Sequence, residues 1–255
     1  MSLSIAVITP SIGLPVLSKC LESVKNQTYK NFIHHVFIDG KEHFELVQKQ
    51  VLDNFHDNMR VNIIQDNIGK GWYGHRVYAA SSFLVNQDIL VYLDEDNWLE
   101  PDHLANFIRL FDKFSDLQWG YSLRKIFDSE GNFICEDNCE SLGKWPTYHN
   151  KDVYHIDTSC YAVKKHVALA VGHSWYGQWG ADRQFFSTLK QYFPRFECTR
   201  KYSLCYRLGG NEGSVQKDFF MNGNKEQKNK YDIEFPWQKE EALEYVVGPG
   251  IRIQI

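Results

Sequence analysis

The first 111 residues of the chain alternate four times between an apolar period of two and one of about 3.6, and few folds accommodate such a pattern. "SIAVIT" (4–9) is a short β-branched run, and Leu17, Cys20, Leu21 and Val24 follow it at i, i+3, i+4 and i+7. "FIHHVFI" (32–38) precedes a helical pattern through Phe44, Val47 and Val51. "VNIIQ" (61–65) precedes Val77, Ala80, Ser81 and Leu84, and "DILVYL" (88–93) precedes Leu104, Phe107, Ile108 and Phe111. Pro15 and Pro101 sit near helix starts, where a missing N–H costs little. Strand–helix alternation at this spacing predicts right-handed βαβ units, hence an α/β fold with a mostly parallel sheet.

Such a sheet binds ligands beyond the carboxyl ends of its strands. The predicted strands end at Thr9, Asp39, Asp66 and Asp94, and Asp94 opens the run Asp94-Glu95-Asp96. A single Asp in such a place is commonly a turn or cap residue. Several converging on one rim repel one another unless a cation or a set of donors meets them.

After residue 115 the alternation stops. "WGYSLRKIF" (119–127), the turn "DSEGN" and "FICED" predict a hairpin. "DTSCYAV" (157–163) and "YSLCYRL" (202–208) predict two more strands, with a helix through Phe185, Leu189 and Tyr192 between them. The polar, glycine-rich stretch 209–232 reads as a mobile loop or lid. The six cysteines show no C-x₂-C pair, and a chain of 255 residues needs no disulfide staples, so they read as structural thiols.

Charge and motif exclude several classes. A formal net charge of −4 argues against a nucleic-acid binder. No apolar run approaches the ~18 residues of a membrane span, and no secretory signal opens the chain. That points to a cytoplasmic protein, with peripheral docking at the inner membrane face left open. "TPSIGLP" after the first strand lacks G-x-G-x-x-G, and no G-x-x-x-x-G-K-[ST] occurs, so neither a Rossmann dehydrogenase nor a P-loop enzyme is indicated. An aspartyl-nucleophile phosphatase would carry D-x-D on its first strand, not its fourth, and stays only as a distant alternative. Asp94 and Asp96 instead suit Mg²⁺ or Mn²⁺, which are held by one or two carboxylates together with substrate phosphates.

The succession "AVITPSIGLPVLSKCLESVKNQTYKNF", "FIDG", "DNIGKGWYGHR" and "LDEDNWLEPDHL" resembles family 2 glycosyltransferases of the GT-A fold, best over residues 3–110 and more thinly to about 215. No domain boundary shows along the residues, so the chain reads as a single domain over 1–255, and the resemblance makes 1–115 its nucleotide-sugar half and 116–255 its acceptor half. It implies that Asp94 and Asp96 hold a divalent metal bridging the diphosphate of a nucleotide-sugar, usually UDP-linked. It further places Asp39 against the uracil or ribose, Asp66 and Arg76 against the base, and Thr9, Pro10 and Ser11 along the nucleotide cleft. The acceptor would be a hydroxyl of a glycan or a lipid-linked saccharide, as in polysaccharide biosynthesis.

An acceptor hydroxyl needs a base to take its proton. In the family an acidic residue opening a late helix supplies it, and "WYGQWGADRQFF" places Asp182 there, with Ala181 where a Glu is usual. A lone Asp at a helix start is also an N-cap. Glu95 stands where a small residue is common, and it could ligate the metal, turn outward or contact the sugar; Glu95 and Glu212 are the reserve candidates for the base. Trp175, Tyr176 and Trp179 are either acceptor-stacking surfaces or core. In "YRLGGNEGS", Arg207 could offset diphosphate charge, and Lys70 and Lys217 are weaker candidates for the same task. His149, His155 and His173 read as structural histidines, with a third metal ligand as the alternative. A non-catalytic nucleotide-sugar or glycan binder on the same fold is the competing function.

Overall fold

The computed structural model describes residues 2–69, 73–177, 180–209, 215–231 and 234–239, and the backbone of two short strands at 244–246 and 252–254. The expected alternation is present as β1 (Ile5–Ser11), α1 (Leu17–Lys25), β2 (Phe32–Asp39), α2 (Phe44–Asn54), β3 (Met59–Ile64), α3 (His75–Leu84), β4 (Ile89–Tyr92), a two-residue β5 (Trp98–Leu99) and α4 (His103–Lys113). β1 pairs in parallel with β2 on one side and β4 on the other, and β3 lies beyond β2. Strand order 3-2-1-4 reverses at β1, and at such a reversal an open α/β sheet leaves a crevice. Every residue of β1 is buried, as in a parallel strand covered on both faces.

The second half adds β6 (Trp119–Phe127), β7 (Phe133–Glu136), β8 (Tyr161–Lys164), α5 (Lys165–Val171), α6 (Ala181–Tyr192), β9 (Phe196–Arg207), α7 (Lys217–Lys230) and the antiparallel pair β10 (Glu244–Val246) and β11 (Arg252–Gln254). β8 inserts antiparallel between β4 and β6, β9 runs parallel to β6, and β5 closes the far edge. The hairpin at "DSEGN" forms as expected. Asp128 Oδ1 accepts from the N–H groups of Glu130 and Asn132, and Gly131 takes φ +87°. All six cysteines are free thiols. Among the described residues, no helix is long and apolar enough to cross a membrane.

Three expectations change. Most of the stretch read as a loop at 209–232 is helix α7, while Gly210–Ser214, with Glu212 among them, lie outside the described residues. α7 buries Phe220 in a small second core with Ile126, Cys139 and Leu208, and a Cβ at Gly223 would stand 2.8 Å from Cys139. So few apolar anchors in a polar helix leave no 3.6 period to read. The strand expected at 157–163 begins as a 3-10 turn, Thr158–Cys160, because the Asp157 carboxylate accepts from the Ser159 N–H, and only residues 161–164 pair. Of the expected α3 face, Val77, Ala80, Ser81 and Leu84, the fold buries Val77 and Ser81 but leaves Leu84 exposed, and Tyr78 and Ser82 turn inward instead, so the buried face is rotated from the expected one.

One buried cation joins the pieces of the second half. Arg124 on β6 donates from Nε to Asp137 at 2.7 Å, from Nη2 to Glu140 at 2.5 Å and from Nη1 to Asp157 at 2.7 Å. Its guanidinium lies 4.5 Å from the Tyr206 ring centre. Burial opposes ionisation of Asp137, yet Arg124 and the N–H groups of Ser141 and Cys139 hold its carboxyl below the usual value. Breaking such a cluster by removing its cation leaves buried charge uncompensated, at a cost of about 3–5 kcal/mol. Arg124→Met should therefore lose that much in urea denaturation. Arg124→Lys should recover only part of it, because one ammonium cannot reproduce a planar fork facing three carboxylates.

Candidate active site

A cleft of about 500 Å³, large enough for a nucleotide-sized ligand, opens beyond the carboxyl ends of β1, β2 and β4. Pro10, Ser11, Asp39, Asp94, Glu95, Asp96 and Arg207 all line it. Asp39 is buried, with one donor on each oxygen: Oδ1 accepts from the Ile68 N–H and Oδ2 from the Gly69 N–H, both at 2.8 Å. A Cβ on Gly69 would stand 2.3 Å from Asp39 Oδ2, so only glycine lets the backbone come this close. Burial raises the Asp39 carboxyl above its ordinary value.

The acidic run divides its labour. Asp94 Oδ1 accepts from the Tyr78 hydroxyl at 2.7 Å and Oδ2 from the Ser159 hydroxyl at 3.0 Å. Burial, then Asp96 and Asp157, push its carboxyl up to about 8. Asp96 is pushed up to about 6 by burial and then Glu95, while the charge of Arg207 works the other way. Glu95 is buried, and its oxygens accept from the Ser11 hydroxyl and the N–H groups of Ile12, Gly13 and Leu14. Asn97 accepts from the Arg207 N–H at 3.0 Å, tying the end of β9 to the run, and the Arg207 guanidinium donates to the Ser129 carbonyl.

A second, smaller pocket of about 170 Å³ shares Asp94 and Tyr206 with the cleft and holds His155, Asp157 and Asp182. Asp182 is the second residue of α6. The capping position belongs to Gly180 at φ +86°, so Asp182 is not the N-cap. Its Oδ2 lies 3.5 Å from Nε2 of the buried His155.

Several sequence-predicted residues stand elsewhere. Thr9 is buried with its hydroxyl 3.0 Å from His34 Nε2, so it belongs to the core and not to the cleft. Asp66 is exposed and does not line the cleft. Arg76 lines a neighbouring apolar groove, its guanidinium 4.6 Å from the Tyr176 ring centre. Trp175 is core, stacked on Phe185 with centroids 4.0 Å apart. His149 packs on Phe219, His173 lines the apolar groove, and Lys217 is an exposed residue opening α7. Lys70 and Trp179 lie outside the described residues. Among the described residues, no three His, Cys, Asp or Glu side chains are arranged to hold a metal by themselves. The sequence reading missed Tyr78, Ser159, Asn97 and Arg124, which are ordinary residues until the fold turns them toward a carboxylate.

The family model described as Glycosyl transferase family 2 matches residues 6–158. The chain belongs to glycosyl transferase family 2. Its family 2 sheet resembles solved GT-A structures. S. aureus TarS 1-349 superposes with a TM-score of 0.60 at 13% identity, over 80% of this chain and 60% of that one. Mannosyltransferase PcManGT from Pyrobaculum calidifontis gives 0.59 at 13% identity, over 83% and 59%. Among sequence relatives, uncharacterized glycosyltransferase R139 of Acanthamoeba polyphaga mimivirus is 26% identical, over 44% of this chain and 50% of its own. An uncharacterized protein of Haemophilus influenzae is 32% identical over 34% of this chain and 70% of its own. The chain thus spans about half the length of the mimivirus relative and three fifths of TarS 1-349.

In this family 2 protein the crowded carboxylates carry a stability signature. A carboxyl whose folded pKa is about 8 binds its proton more tightly folded than unfolded. Its stabilising effect is complete below the unfolded value of about 4 and is lost as pH rises towards 8. In metal-free buffer Asp94→Asn should therefore melt above wild type at pH 8, and the gap should narrow steadily as pH falls towards 4. A calorimetric gap that does not change with pH would show that Asp94 is not held protonated.

Proposed function

We propose that the protein transfers a sugar from a nucleotide-diphosphate sugar, UDP-linked by preference, to a hydroxyl of a glycan or lipid-linked saccharide, with inversion at the anomeric carbon. The observation that carries the reading is the junction of two pockets at Asp94: a nucleotide-sized cleft on one side and the chamber holding Asp182 on the other. The solved neighbours support the donor class, since TarS 1-349 is known with UDP and with UDP-GlcNAc, and PcManGT with GDP-Man and Mn²⁺.

Asp94 and Asp96 fit a hard dication. Both are oxygen donors crowded by like charge, and they are too few to cage an ion without phosphate oxygens. Mn²⁺ or Mg²⁺ bound there would act as a Lewis acid, offsetting charge on the departing diphosphate. The remaining roles fall to the chain. Pro10, Ser11 and Asp39 face the nucleoside. Arg207, at the cleft wall, adds positive charge beside the diphosphate. Asp182 takes the acceptor proton, and His155 at 3.5 Å orients its carboxylate. Direct displacement by a hydroxyl with one base needs no covalent intermediate, hence the inversion. Asp66, Arg76 and Thr9 have no part in this assignment, because they stand away from the cleft.

Two measurements test it. UDP affinity by calorimetry should rise when Mn²⁺ or Mg²⁺ is added, and Asp96→Ala should remove most of that gain. An affinity indifferent to EDTA would defeat the metal–diphosphate arrangement. Asp182→Asn should leave the fold and UDP affinity intact while lowering the transfer rate by ~10²–10⁴-fold, the usual contribution of a general base. Equal turnover in both proteins would place the base elsewhere and leave Asp182 a first-turn residue of α6.

A further inference from the structure

Glu95 stands between the two carboxylates assigned to the metal, yet its own carboxylate is spent on the end of β1 and the turn after it. Oε2 accepts from the Ser11 hydroxyl at 2.7 Å, the Gly13 N–H at 3.1 Å and the Leu14 N–H at 3.0 Å, and Oε1 accepts from the Ile12 N–H at 3.0 Å. Only 8% of the residue is exposed. Three successive backbone N–H groups and a hydroxyl converging on one anion form a nest of the kind that elsewhere cradles phosphate. The loop that makes the nest runs from the end of β1 towards α1, the place where a dinucleotide-binding turn would receive a pyrophosphate. Here the protein supplies the anion itself.

Two consequences follow from that substitution. Phosphate is kept out of the β1–α1 turn, so a diphosphate must be met elsewhere on the rim. The second consequence concerns shape. Ser11, Ile12 and Leu14 form part of the cleft wall, and a side chain from the end of β4 holds that wall in place from behind. The facing wall is built in the same manner, with Asp39 of β2 gathering the Ile68 and Gly69 N–H groups. Each side of the cleft is thus a loop fastened by a carboxylate from a neighbouring strand.

We propose that Glu95 is a positioning residue for the nucleoside, bracing the 11–14 wall of the cleft, and that it does not ligate the metal. The proposal rests on the reading of the cleft as the nucleotide site. An alanine or aspartate at this position is too short to reach the four donors of residues 11–14, and glutamine would turn an NH₂ group toward N–H groups.

The test uses UMP without metal, and UDP with and without Mn²⁺, titrated calorimetrically into wild type, Glu95→Ala and Glu95→Gln, with thermal melting to establish that each is folded. Glu95→Ala should weaken both nucleotides about tenfold, the size expected when a charged hydrogen-bonding partner is lost. The factor by which Mn²⁺ improves UDP binding should stay as in wild type. If Glu95→Ala does not fold, the same readings on the isosteric Glu95→Gln decide, with a fall of about threefold expected. A folded variant with wild-type UMP affinity overturns the proposal, and so does a variant that keeps UMP affinity but loses the Mn²⁺ gain, which would make Glu95 a ligand. Wild type binding neither UMP nor UDP would instead remove the nucleotide reading of the cleft.

Discussion

A carboxylate taken out of water must find donors or a cation, and this fold gathers seven of them near one rim of its sheet. Asp137, Glu140 and Asp157 share the single guanidinium of Arg124. Asp39 and Glu95 draw on backbone N–H groups of two loops, and Asp94 on the hydroxyls of Tyr78 and Ser159. Among the described residues, Asp96 has little beyond its own N–H and the field of Arg207. The compensation is therefore graded, from dense around Arg124 to sparse at Asp96. A dication and a diphosphate would complete it at the sparse end, where the cleft opens.

The second half of the chain supplies much of that gradient. β8 and the turn before it deliver Ser159 to Asp94 and Asp157 to Arg124. β9 brings Tyr206 over Arg124 and, through Asn97, ties Arg207 to the acidic run. α7 covers the same region from outside through Phe220, whose ring lies 5.4 Å from the Arg124 guanidinium. The parallel half provides the rim, and the mixed half decides which of its charges stay uncompensated.

Much of this was legible in the residue order for a local reason. Helix and strand periods are properties of neighbouring side chains, so the βαβ alternation, the hairpin at "DSEGN" and the strand-end placement of Asp39 and Asp94 all emerge from the order of residues. Free cysteines likewise followed from spacing. Thr9 and Arg76 do not line the cleft, because a residue's position along a strand or helix does not say which side of the element its side chain takes, and of the two readings open for Trp175 the core one holds. Thr9 turns to His34 inside the core, and Arg76 lies one helical position from His75 yet faces a different groove. α7 was unreadable because its burial is supplied by distant partners, Cys139 and Tyr148, and not by its own apolar stripe.

By itself, then, the sequence determined the family, the strand–helix alternation that requires a parallel half-sheet and the presence of an acidic run at the end of its fourth strand, since all of these are written in the order and period of neighbouring residues. Only the tertiary structure decided what each acid does. Glu95 meets a loop more than eighty residues away, Asp94 a serine 65 residues on, and Asp157 an arginine 33 residues back. Hydrogen-bond partners at such separations are chosen by how strands align in the sheet, and no local pattern of residue types encodes that alignment.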